Sequence, residues 1–231
     1  EEREVSTMIA RLVGANPLPA NVRQDIVERT DGVPLFVEEM TKARIEAESA
    51  AKHAIAAILS TATEVPASLH ASLMARLDRL APVKEVAQIG AAIGRDFSYT
   101  VLRCVAGRDD QALNAALEQL EEAELLSRRG TPPEASYCFK HALVQEAAYA
   151  SLLKSRRQLL HKQIGDVLRV RFPVIAEIEP EVLAYHFTEA GLSGIALEWW
   201  LKAGQQALKR SAYSEAIAHL GKAVAIADEL P

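Results

Sequence analysis

The sequence predicts a mainly α fold: a helical lid segment, a winged-helix domain with a small β-hairpin, then tetratricopeptide-like helical hairpins. Three observations carry this. Alanine is abundant while aromatic residues make up 5% of the chain, so helices must pack closely through Ala, Leu, Ile and Val. Apolar residues recur at helical spacing along most of the sequence. One stretch breaks that period, where two strand-like runs flank a turn containing Gly130, Pro132 and Pro133.

The elements follow in order. Val5, Met8, Ile9, Leu12 and Val13 form one side of a helix over residues 3–14, which Pro17 and Pro19 end. A second helix from about Asn21 carries Val22, Ile26 and Val27 and stops at Thr30-Asp31-Gly32. Pro34 suits the first turn of a third helix, where a missing N–H costs nothing, and Phe36 and Met40 continue it. Residues 45–64 read as a helix tail and linker. Leu69, Leu73, Met74, Leu77 and Leu80 make the next apolar stripe, and Pro82 separates it from a helix over 83–93. A short helix is expected over 97–105, and Asp109-Asp110 opens another over 111–124, acidic residues being favourable at a helix start.

Runs 125–129 and 136–140 then form the hairpin. Helix, helix, helix, hairpin is a winged-helix order, with 97–105 and 111–124 as the helix-turn-helix pair and 127–139 as the wing. Helices are expected over 141–153, 156–170 (closed by Phe172-Pro173), 180–190, 195–208 and 213–230. In the last two, Trp200, Gly204 and Ala207, followed by Ala216, Leu220 and Ala223, fit positions of one tetratricopeptide repeat. The domains are therefore placed at 1–48 (lid), 49–66 (linker), 67–140 (winged helix) and 141–231 (hairpins).

The net charge of −5 is unevenly spread: residues 1–64, 65–127, 128–171 and 172–231 carry −4, −3, +6 and −4. The basic stretch could be a DNA surface, an internal docking face for the acidic lid or repeats, or solvated helix surface. Glu118, Glu121, Glu122 and Glu124 on the presumed recognition helix speak against DNA, and opposite charges favour the docking reading. Cys104 and Cys138 lack a CxxC pattern and suit reduced thiols of a cytoplasmic protein. Neither a bilayer-spanning apolar run nor a signal peptide is visible, and the chain reads as an excerpt of a longer one.

No catalytic constellation emerges. Gly221-Lys222 sits within a helix and is not a phosphate loop, so this segment is not expected to hydrolyse ATP unaided. His53, His70, His141, His161, His186 and His219 are dispersed and read as packing or hydrogen-bonding residues rather than metal ligands. Glu38-Glu39 and Glu121-Glu122, adjacent on helices, diverge and read as solvated faces.

Three segments resemble signalling ATPases of the STAND class. Residues 30–39 (TDGVPLFVEE) resemble the Gly-x-Pro segment of their lid. Residues 69–80 with 91–97 (AAIGRDF) resemble their winged helix. Residues 139–149 (FKHALVQEAAY) and 156–161 resemble its continuation. Those bacterial ATPases that are joined to a class III adenylate or guanylate cyclase domain and end in tetratricopeptide repeats are the most similar. The resemblance implies a regulatory portion that couples nucleotide state to an output domain. Gly32 would allow close backbone approach to ATP or ADP in the intact protein, and the Pro34 ring would pack on adenine. This segment alone would not bind the nucleotide tightly. Its implied partners are its own upstream nucleotide-binding and output domains and a protein docked on the repeats, with neither DNA nor a membrane expected. The alternatives are a DNA-binding winged-helix regulator and a helical scaffold without nucleotide response.

Overall fold

In a computed structural model, the described residues are 2–13, 18–30, 34, 36–42, 44–45 and 69–230. They form a mainly helical chain with one small antiparallel sheet, divided into two compact units, Glu1–Ala81 and Pro82–Pro231.

In the first unit, α1 (Glu2–Val13), α2 (Ala20–Thr30) and α3 (residues 36–42, with 34, 44 and 45 also helical) precede α4 (Leu69–Arg79). Val5 and Ile9 of α1, Val22 and Ile26 of α2, and Val37 and Met40 of α3 share one core, as their spacing predicts. Of the α4 stripe, Leu73 and Leu77 are buried. The expected linker at 49–66 lies outside the described residues.

The second unit begins at Pro82, one residue into α5 (Ala81–Ile93), so Pro82 does not separate helices as expected; it lies in the first turn of α5. No backbone N–H there has an intrahelical partner, and proline forfeits nothing. After α5 come β1 (Asp96–Ser98), α6 (Tyr99–Ala106), α7 (Asp110–Glu122), β2 (Leu126–Arg129) and β3 (Ser136–Phe139). The expected helix over 97–105 is thus part strand. Ser98 ends β1 and caps α6, its hydroxyl accepting the Val101 N–H at 3.2 Å. Asp109 caps α7 in the same way through the Ala112 N–H at 2.9 Å.

The sheet order is β1-β3-β2, with Phe97 opposite Tyr137 and Leu126 opposite Phe139. This is the winged-helix order, completed by a third strand. Phe97, Tyr137 and Phe139 fill the sheet's inner face, with Phe97 and Tyr137 stacked at 5.9 Å. Leu102 of α6 and Leu113, Leu117 and Leu120 of α7 are likewise buried. Gly90 of α5 leaves room for Phe97, since a Cβ there would lie 2.8 Å from the ring.

The remaining helices are α8 (Ala142–Ala150), α9 (Lys154–Arg171), α10 (Pro173–Ile178), α11 (Pro180–Glu189), α12 (Ser193–Lys209) and α13 (Tyr213–Glu229). Phe172-Pro173 was expected to close a helix; it also opens the short α10. Phe172 and Glu179, each before a proline, share nearly the same non-helical backbone (φ −128, ψ 56 and φ −126, ψ 60). The following ring disfavours the α region at both. Helix α9 touches α6 on one side and α11 on another, and α11, α12 and α13 stack in sequence. Small residues set that stacking: Phe187 lies over Gly165 and Leu220 over Gly204, where added Cβ atoms would fall 2.9 and 2.5 Å away. Ala196, Trp200, Ala203, Gly204 and Ala207 are the buried residues of α12, which packs on both α11 and α13, and Ala216 and Ala223 are those of α13.

Candidate functional site

Of the two residues expected to meet a nucleotide, Gly32 lies outside the described residues, and Pro34 is helical and exposed. Just beyond, Glu38 pairs with Lys42 at 2.5 Å along the helix. Glu39 is not the solvated residue expected. It is 2% exposed and ion-paired with Arg76 of α4, equally buried. Adjacent side chains on a helix diverge by about 100°, so one carboxylate faces outward and the other faces the core.

On the winged helix, α7 directs Leu113, Ala116, Leu117 and Leu120 inward and leaves Glu118 and Glu122 exposed. The neighbouring bases are largely neutralised within the unit. Arg128 of the wing meets Glu121 at 3.5 Å and Lys140 meets Glu124 at 3.6 Å. Arg108 and Arg156 converge on Glu85 of α5 at 2.5 and 2.9 Å. Their positive charge, led by the Arg108 hydrogen bond, holds the Glu85 carboxyl below its ordinary range. Lys162 and Arg169 share Asp166. Within this unit the basic stretch therefore meets Glu85 of α5, Glu121 of α7, Glu124 just after it and Asp166 of α9, rather than the acidic helices over 172–231. Arg129, Lys154 and Arg171 make no ion pair among the described residues.

A buried polar chain links α8, α9 and α11. His161 and His186 are 0% and 1% exposed, their Nδ1 atoms 2.8 Å apart, and His161 Nε2 lies 2.9 Å from the Tyr149 hydroxyl. Tyr149 also reaches the Glu189 carboxylate at 3.5 Å. A carboxylate only accepts, so Tyr149 donates to it and accepts from His161 Nε2–H; His161 Nδ1 then accepts from His186 Nδ1–H. The donors thus run in one direction, from His186 through His161 and Tyr149 to Glu189. Burial pushes His161 down to about 4, helped by Arg157, and His186 down to about 3, helped by His161. Burial and the Glu189 charge raise Tyr149 to about 12. The Arg157 guanidinium lies over the Tyr149 ring, 4.7 Å from its centroid. His161 and His186 stand 25 positions apart, and no spacing rule joins them; their packing role was expected, their pairing was not. His219 stacks on Trp200 at 5.4 Å, and His53 lies outside the described residues.

The outer side of α13 is apolar and uncovered in the described unit. Tyr213, Ile217 and Val224 are 65, 74 and 60% exposed and follow one another at helical spacing.

No family model matches the chain. It is similar to an uncharacterized protein of Rhizobium meliloti (strain 1021), with 30% identity over 194 residues. The match covers 83% of this chain but 19% of that protein, so the chain spans about a fifth of its relative's length.

Proposed function

We propose that this chain is a regulatory, protein-interaction portion of a multidomain signal-transduction ATPase of the STAND class, linked to an adenylate or guanylate cyclase output. The lid helices would sense ATP or ADP through Gly32 and Pro34. The winged helix would couple that state to the helical hairpins, which would hold a protein partner. A ligand shifts such a switch only through differential contacts with its two states. The observation favouring protein docking over DNA reading is the acidic outer face of α7, whose Glu121 holds the wing's own Arg128. A helix entering the major groove between phosphates would need donors and cations on that face. The exposed apolar row on α13 agrees with a protein partner.

Two titrations test this. In the intact protein, Pro34→Ala is expected to weaken ADP binding by calorimetry without altering the fold; unchanged affinity would remove Pro34 from the nucleotide site. Fluorescence anisotropy with duplex DNA at low salt is expected to show no salt-sensitive binding. Binding that disappears in the Arg128→Ala/Arg129→Ala variant would favour the DNA-regulator alternative.

A further inference from the structure

The corner between α6 and α7 faces the C-terminal end of α9 across a cleft of about 590 Å³. Arg103, Cys104, Arg108, Asp109, Asp110 and Arg171 line it. We propose that this cleft binds a small phosphate monoester.

Three arginines from separate positions line one space. Arg103 contacts Asp110 through Nε at 2.5 Å, and Arg108 contacts Glu85 through Nη2 at 2.5 Å. Arg171 has no ion-pair partner among the described residues. A guanidinium carries five N–H donors, so these contacts leave most of the donor capacity around the cleft unspent. The two lining carboxylates are already engaged: Asp109 accepts the Ala112 N–H, and Asp110 holds Arg103. The Arg103–Asp110 pair is about half exposed on both sides. Such a pair is weak and opens readily for a competing anion.

A phosphate monoester fits better than a carboxylate. Its three terminal oxygens can each face a guanidinium, whereas a carboxylate offers two. The cleft also exceeds the volume of phosphate itself and falls in the range of small-molecule pockets, leaving room for an organic group. This inference is independent of the nucleotide role proposed for Gly32 and Pro34, which lie in the other unit.

Cys104 reports occupancy. It is an exposed free thiol in the cleft lining, while Cys138 is half-buried on β3. Alkylation of the full chain by neutral iodoacetamide, followed by peptide mass spectrometry, gives the two thiol rates separately. Inorganic phosphate is the probe, with sodium chloride at equal ionic strength as the reference. Phosphate is expected to slow Cys104 saturably by fivefold or more and leave Cys138 unchanged. Arg171→Gln is expected to raise the half-protective concentration by about tenfold. Arg171→Lys, which keeps the charge but loses the fork, would give a smaller rise and serves if the first variant does not fold. Equal Cys104 rates in phosphate and chloride would overturn the proposal. So would protection that both folded Arg171 variants retain in full.

Discussion

Lowering the pH from 7.5 to 5.0 should remove stability through the His161–His186 pair. Both rings are fully buried and neutral in the folded protein, with pKa values of about 4 and about 3. An unfolded histidine titrates near 6.5. Since the folded values lie below the unfolded one, the contribution is fully present above about pH 6.5. It is lost as pH falls towards about 4 for His161 and about 3 for His186, because the unfolded chain takes up protons that the folded chain excludes. At pH 5.0 each histidine should cost roughly 2 kcal/mol, or about 4 kcal/mol for the pair, from ~1.4 kcal/mol per pH unit. That is a large share of a typical domain stability of about 5–15 kcal/mol. Ordinary carboxylates remain mostly ionised at pH 5.0, which keeps the window clean. Urea unfolding followed by tryptophan fluorescence suits the test, because both tryptophans, Trp199 and Trp200, lie on α12, which packs on the helix bearing His186. The His161→Phe/His186→Leu variant should lose under about 1 kcal/mol across the same interval, its residual pH dependence having other sources. If variant and parent lose equal stability between pH 7.5 and 5.0, the buried pair is not the source and the reasoning fails.

Two further perturbations probe the packing. Gly221→Ala should raise stability by about 1 kcal/mol in urea unfolding, since a Cβ there meets open space and alanine is the better helix former. Gly204→Ala gains the same propensity but drives a Cβ to 2.5 Å from Leu220; overpacking costs about 1–3 kcal/mol, so it should be neutral to destabilising, and clearly below Gly221→Ala. In the first unit, Glu39→Leu should destabilise by about 3–5 kcal/mol by leaving the buried Arg76 without this carboxylate, while Glu39→Leu/Arg76→Leu should recover much of the loss in chemical denaturation.

The long helices were legible because burial on one side imposes a period, and α12 and α13 carry it over seventeen residues each. β1 was not, because three residues cannot display an alternation, and Asp96–Ser98 becomes a strand only when β3 comes alongside. The six residues of α10 are too few for a helical stripe, and their leading proline resembles a stop. The acidic character of α7 could be read directly from Glu118, Glu121 and Glu122. The partners of the basic stretch could not, because Glu85 lies 71 positions before Arg156 and meets it only through the packing of the unit. Glu39 shows the same limit: its spacing places it on a helix, and only the tertiary fold decides that it faces Arg76.

Helix α9 reaches the winged helix through α6 and the hairpin stack through α11, with no loop intervening along its eighteen residues. At 1.5 Å per residue it is a rod of about 27 Å. Arg171, beside α6, and His161, against α11, stand ten residues apart on it, about 15 Å, so tilting the rod by about 10° about Arg171 would shift His161 by about 2.6 Å. Small rotations at the helix-turn-helix corner would thus arrive at the hairpins as shifts of a few ångströms rather than fading along a flexible linker.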